Sequence, residues 1–248
     1  MNKVVVVYSG GLDSTVLLTQ CKQEYDEVIA LNFSYGSKHN FAEREAAMVI
    51  CKRLAIPLYL YDLPALLCGE YDKEGLYHSP GYFLSSDLLK SGGEIPEGEY
   101  GAENMKSTVV PFRNGIMLAL AAGFAESRGF NIIAIANHAG DHELYSDCRP
   151  GFIKSCKEAI KRGTDKKVIL QAPFTHFTKT EIVKLGFEIG APLELTWSCY
   201  KGEEKHCGKC GTDLERISAF KENGLIDPVE YEIDIDWVGC RGLEDASS

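Results

Sequence analysis

A doubly wound, parallel α/β sheet is the fold class this sequence predicts, and three observations predict it. The strand-like stretches are short continuous aliphatic runs, as in Val4-Val5-Val6-Val7, the pattern of strands buried on both faces. Those runs alternate with helix-length segments, so consecutive strands are joined by right-handed crossovers and lie parallel. A glycine pair, Gly10-Gly11, follows the first strand directly and precedes a helix, at the end of the strand where such sheets bind ligands.

The elements follow in order. Residues 3–8 form the first strand, Ser9-Gly10-Gly11 breaks it, and Asp13-Ser14 opens a helix to about Gln23. Residues 27–33 read as the second strand, 41–54 as a helix and 58–61 as the third strand. Residues 64–110 have little periodicity and carry Gly92-Gly93, Pro96 and Gly98. An irregular stretch of that length is usually functional or mobile, and it reads as a substrate lid with short helical pieces. An apolar helix follows over 113–128, a strand over 131–137, a helix over 151–161, a strand-like piece over 168–170 and a helix over 178–189. The expected division is an α/β domain over 1–195 with the insertion at about 64–110. Residues 196–248 then form a cysteine-containing segment, a last helix and an acidic tail.

Composition narrows the function classes. Lysine and arginine number 26 against 36 acidic residues, a net charge of -10, which argues against nucleic-acid partners. No apolar run approaches the ~18 residues of a membrane span, so no membrane role is expected. The strand pattern begins at once after Met1, with no room for a signal peptide, and the expected location is the cytoplasm. There the 9 cysteines do not make a disulfide framework. Cys21, Cys51, Cys68 and Cys156 read as small buried apolar residues, whereas Cys199, Cys207 and Cys210 cluster.

The turn Ser9-Gly10-Gly11-Leu12-Asp13-Ser14 suits a phosphate. Its glycines allow positive φ and close backbone approach. It ends at a helix N-terminus, where free N–H groups and the helix dipole favour anions. Ser9, Ser14 and Thr15 add hydroxyls. Neither GxxxxGK[ST] nor GxGxxG occurs at this turn. Asp13 or Ser14 would also serve as a plain helix cap.

With its SGGxDS motif the chain resembles the PP-loop ATP pyrophosphatases. The resemblance implies a Rossmann-like fold of the adenine-nucleotide α-hydrolase type, with ATP and Mg²⁺ as cofactors. In that family the loop holds the pyrophosphate end of ATP while the substrate attacks the α-phosphate. The implied nucleotide site comprises Tyr8, Ser9, Gly10, Gly11, Leu12, Asp13, Ser14, Thr15, Val16, Leu17 and Leu18, with Asp13 near the metal.

Further segments narrow the resemblance. They are Tyr35-Gly36-Ser37-Lys38-His39-Asn40, Val110-Pro111-Phe112-Arg113-Asn114, Asn137-His138-Ala139-Gly140-Asp141-His142, Tyr145-Ser146-Asp147-Cys148-Arg149, Thr178-Lys179-Thr180-Glu181 and Ser198-Cys199-Tyr200-Lys201-Gly202. With His206-Cys207-Gly208-Lys209-Cys210, their order resembles the 7-cyano-7-deazaguanine synthase (QueC) family from about residue 3 to 220. That family adenylates 7-carboxy-7-deazaguanine and converts it with ammonia, through the amide, to the nitrile, as a homodimer.

Residue roles follow from chemistry and from this resemblance. Arg113 suits a phosphate or the substrate carboxylate, or else a structural ion pair. Lys179 suits developing phosphate charge, or is a solvated lysine. With Asp13 these are the candidate catalytic residues, and Asn114, Asp141, Asp147 and Arg149 the candidate substrate-binding ones. Asp147 and Arg149 either read the guanine-like edge or order their loop. His39, His138 and His142 read as loop anchors rather than bases, and Phe33 and Tyr35 either stack on a purine or pack in the core.

Cys199, Cys207 and Cys210 have spacing that suits tetrahedral zinc. The family's fourth cysteine is replaced by Asp213. Either Asp213 supplies an oxygen ligand, or His206 or water completes the site, or the site holds zinc poorly. This departure opens an alternative: a QueC-like ligase joining the activated acid to another amine, such as a protein N-terminus. A PP-loop tRNA-modifying enzyme is a weaker reading given the net charge.

Overall fold

In a computed structural model the chain is described over residues 2–63, 70–71, 73–74, 77–78, 86–90, 92–98, 103–201 and 204–243. β1 (Lys3–Val7) leads through the glycine turn into α1 (Leu12–Glu24); β2 (Glu27–Ser34), α2 (Asn40–Leu54) and β3 (Leu58–Asp62) follow. A two-stranded antiparallel hairpin, β4 (Glu70–Tyr71) and β5 (Tyr77–His78), lies in the irregular stretch. Then come α3 (Arg113–Arg128), β6 (Ile132–Ala134), α4 (Pro150–Gly163), β7 (Ile169–Gln171), α5 (Lys179–Glu188) and α6 (Gly211–Glu222).

The five long-range strands are parallel, in the order β3-β2-β1-β6-β7. Alternate side chains of β1 face opposite layers. Val4 and Val6 pack with residues of α1, α2, α5 and α6, while Val5 and Val7 pack with α3 and α4. The sheet is therefore doubly wound, as its aliphatic runs predict. The winding reverses between β1 and β6, which opens a crevice at their carboxyl ends.

Helix boundaries fall within a residue or two of the sequence reading. β6 is shorter than its aliphatic run, because Asn137 turns away and donates to the Cys148 carbonyl (2.9 Å) and to Thr175 Oγ1 (3.4 Å). Met105–Arg128 has the length and apolarity of a membrane span, which the sequence reading did not anticipate. Its α3 portion lies on the sheet, with Leu118, Ala121 and Ala125 buried. Cys21 and Cys51 are buried as expected, Cys156 is half-buried, and Cys68 lies outside the described residues.

Much of the expected lid over 64–110 also lies outside the described residues. The described pieces include a 3-10 turn over Glu103–Thr108 and an inward-facing Leu88-Leu89 pair. Leu88, Leu89 and Ile95 pack under the three clustered cysteines. The C-terminal part is joined to the main core rather than set apart from it. Ala219 and Phe220 of α6 belong to the core on the α1 face. The buried Arg216 guanidinium grips Asp227 at 2.6 and 2.9 Å, tying the chain after α6 back onto that helix.

Candidate active site

Gly10 sets the shape of the turn after β1. It has φ +99°, and a Cβ there would stand 2.2 Å from the Glu43 carbonyl oxygen. Only glycine both tolerates that φ and lets α2 approach so closely. The turn is held by Ser9 Oγ and Ser14 Oγ, 3.0 Å apart, by Gly11 N donating to Ser9 Oγ and by Trp197 N donating to Gly10 O. Asn32 Nδ2 donates to the Tyr8 and Ser9 carbonyls. No side chain caps α1, so its first-turn N–H groups face the crevice as an anion site. Of the predicted nucleotide residues, Ser9, Gly11, Leu12, Asp13 and Ser14 line the cavity, and so does Tyr8. Thr15 bonds the Tyr8 hydroxyl at 3.1 Å, and Val16, Leu17 and Leu18 are core residues that support the turn from behind.

Beside this turn is a charged cluster. A capping box, Thr178 with Glu181, starts α5 and puts Lys179 on its first position. Lys179 Nζ donates to Asp13 Oδ2 (2.6 Å) and stands 3.3 Å from Glu215 Oε2. Burial alone would lower the lysine pKa, but Asp13, Glu215 and Asp141 raise it well above its usual value. Burial would raise the Asp13 carboxyl, yet Lys179 and then His138 hold it below its ordinary range. Glu215 is raised, chiefly by burial. His138 Nδ1 accepts from Gly140 N, which leaves Nε2 as the protonated nitrogen, 3.8 Å from Asp13 and 3.6 Å from Asp141. Asp13 Oδ1 is buried with no partner among the described residues. That unpartnered carboxylate oxygen is a ligand of the kind a hard cation such as Mg²⁺ takes.

Across the cavity the wall is aromatic. Phe112, at φ +56°, holds a left-handed conformation rare for its type, and Arg113 begins α3 directly after it. Arg113 Nη1 donates to the Tyr35 hydroxyl (2.8 Å), and its guanidinium lies over the rings of Tyr35 and Tyr145. Tyr145 and Tyr200 share a hydroxyl contact of 3.0 Å, and His39 stacks on Tyr200 at 5.1 Å. His39 Nε2 is 3.4 Å from Glu43 Oε2. Burial pushes Glu43 up to about 8 against the pull of Arg113, and burial aided by Arg113 pushes His39 down to about 3. The cavity, partly open to solvent, has a volume of about 210 Å³.

The predicted substrate residues divide. Asn114 and Asp141 line the cavity. Asp147 and Arg149 do not. The Asp147 carboxylate accepts from Asn114 N (2.8 Å) and so caps α3, while Arg149 Nε donates to the His142 carbonyl on the surface. Both therefore order their loop. His39 and His138 line the cavity, each anchored by its own loop. Phe33 and Tyr35 do so too. Sequence reasoning did not single out Glu43, Glu215 or Trp197. Their signals were slight: Glu43 lies four residues after His39, and Glu215 two after Asp213.

The cysteine cluster adjoins this wall. The sulfurs of Cys199, Cys207 and Cys210 and an oxygen of Asp213 lie within 4.8 Å of one another, all buried. Gly208, at φ +69°, makes the tight turn, and the N–H groups of Lys209 and Cys210 point at Cys207 Sγ. Asp213 Oδ2 accepts from Gly208 N (3.0 Å), while His206 Nδ1 meets Oδ1 at 2.9 Å. Three thiols and one anchored carboxylate fit tetrahedral zinc. Trp197 bridges the two sites: its indole N–H donates to the Cys199 carbonyl and its backbone N–H to Gly10.

A family model described as queuosine biosynthesis protein QueC matches residues 3–224. A 7-cyano-7-deazaguanine synthase of Porphyromonas gingivalis is 48% identical over 92% of this chain and 96% of its own. One of Desulfotalea psychrophila is 44% identical over 92% and 97%. Among solved structures, an NMN synthetase from Francisella tularensis aligns with a TM-score of 0.44 at 14% identity, covering 88% of this chain and 72% of its own.

Proposed function

Because the chain belongs to the QueC family, we infer that its cavity makes 7-cyano-7-deazaguanine from 7-carboxy-7-deazaguanine, ammonia and ATP. The observation that carries this reading is one cavity holding both the uncapped N-terminus of α1 and the Arg113 guanidinium. The first suits a polyphosphate, the second a carboxylate.

The chemistry balances in four moves. The acid's carboxylate oxygen attacks the α-phosphorus and pyrophosphate leaves. Ammonia displaces AMP and loses a proton, giving the amide. The amide oxygen attacks a second ATP, releasing pyrophosphate and a proton. Loss of AMP and a further proton leaves the nitrile. The loop N–H groups and the Ser9 and Ser14 hydroxyls bind phosphate oxygens. Lys179 stays charged and offsets the negative charge growing on them. Arg113, braced by tyrosines, orients the carboxylate.

Asp13, through its unpartnered Oδ1, would help to hold Mg²⁺, which when bound neutralises phosphate charge. Cys199, Cys207, Cys210 and Asp213 would hold zinc as a structural staple. The family reading also carries a homodimer acting in the cytoplasm, and light scattering tests the dimer.

Incubation with ATP, Mg²⁺, the acid and ammonium, followed by mass spectrometry, tests the function. Nitrile with two AMP and two pyrophosphate per turnover is the expected result. Accumulation of amide without nitrile would overturn it.

A further inference from the structure

Three of the four cavity carboxylates stand close to Lys179 or His138. Lys179 contacts Asp13 and Glu215, and His138 lies beside Asp141. Glu43 differs. Among the described residues its one ion-pair neighbour is His39, and burial keeps that imidazole neutral. The Arg113 guanidinium in the same recess is turned to the tyrosines. The Glu43 side chain is only 18% exposed, and α2 fixes its backbone against Gly10. A desolvated carboxylate without a close cation is costly unless a ligand supplies donors.

The surroundings say which donors. Tyr35, Tyr200 and the His39 ring stacked on it give the recess flat faces. Arg113 offers a fork to an anion. The recess thus presents an acceptor pair, aromatic faces and a guanidinium. That is complementary to a flat heterocycle with two adjacent N–H donors at one edge and a carboxylate on its other ring. The alternative reader of that edge, Asp147, accepts from the Asn114 N–H and does not line the cavity.

We propose that Glu43 is a specificity-determining residue whose carboxylate accepts both N–H donors of the 2-amino-4-oxopyrimidine edge, with Arg113 taking the substrate carboxylate. This rests on the proposed function. It adds that the 2-amino group is selected by Glu43.

Steady-state pyrophosphate release with the acid, and with its analogue lacking the 2-amino group, tests it. The wild type is expected to favour the acid by about 10- to 100-fold in kcat/KM, the range for one bidentate contact. In Glu43→Gln, whose amide offers one acceptor only, the KM for the acid rises by a similar factor, the preference collapses, and the KM for ATP is unchanged. Equal use of the analogue by the wild type, which needs no variant, would overturn the proposal. So would a loss in Glu43→Gln that falls on ATP alone, or a preference that survives there. No turnover of the acid by the wild type would instead defeat the functional reading.

Discussion

Lys179 and Asp13 lie 166 positions apart in the chain, yet the lysine ammonium meets the carboxylate of the phosphate turn at 2.6 Å. The contact joins the N-termini of α1 and α5, two helices whose starts face the crevice. It also holds a permanent cation beside the place where phosphate would sit.

Removing that cation should therefore slow chemistry more than it weakens binding. Lys179→Met is expected to lower kcat by about 10²–10³-fold, the usual scale for one preorganised charge. The KM for ATP should change less. Pyrophosphate release under steady-state conditions checks this. Because the lysine pKa is raised further, its charge persists across the working pH range and adds no alkaline limb to the profile.

Gly10 is the turn's most constrained position. Gly10→Ala combines a left-handed φ with a Cβ 2.2 Å from the Glu43 carbonyl oxygen. The strained backbone alone costs about 1–3 kcal/mol. A lower melting temperature and loss of ATP binding by calorimetry are expected.

The cysteine cluster has consequences beyond its own fold. α6 starts at Gly211, immediately after Cys210, and carries both Asp213 and Glu215. Zinc at the cysteines would fix the helix start and so the carboxylate that faces Lys179. Plasma emission spectrometry should find about one zinc per chain, consistent with a closed structural site. Asp213→Ala should lose it, with a lower melting temperature and reduced ATP turnover. Asp213→Cys should retain it.

Affinity for the acid should depend on pH through Glu43, which burial holds up to about 8. The groups around it in the recess are His39, neutral with its pKa near about 3, the permanently charged Arg113, and Tyr35 and Tyr200, whose hydroxyls are raised chiefly by burial. The ionised carboxylate is the binding form, so more protein is competent as pH rises. Between pH 6 and 8 the dissociation constant for the acid should fall, by up to about tenfold per unit, as competent fractions scale apparent affinity. In Glu43→Gln the slope should vanish. Calorimetry without ATP or ammonium reads this directly.

Most of the sheet and the phosphate turn were legible in the sequence. Runs such as Val4–Val7 leave only one side-chain pattern, and Ser9–Ser14 couples a strand end to a helix start. Arg113, Asn114, Lys179 and Asp141 were also legible, because each opens a helix or turn that points at the crevice. Asp147 and Arg149 were harder. A charged residue beside a motif reads alike whether it caps a helix or faces a ligand, and the Asn114 N–H decides it. Glu43 and Glu215 were not singled out because an acidic residue within a helix has no spacing of its own. Only the packing of α2 on Gly10 and of α6 near α5 brings them to the cavity. Within 64–110, Leu88, Leu89, Ile95 and Val110 pack on the cysteine cluster, a contact no local pattern announces.

The most direct test of carboxylate activation at this cavity follows oxygen. The acid is labelled with ¹⁸O at both carboxylate positions and turned over with ATP and ammonium, and the AMP is analysed by mass spectrometry. Each adenylation passes one substrate oxygen to phosphorus, so every AMP should carry one ¹⁸O and the nitrile none. AMP without label, formed together with nitrile, would contradict adenylation of the carboxylate and of the amide.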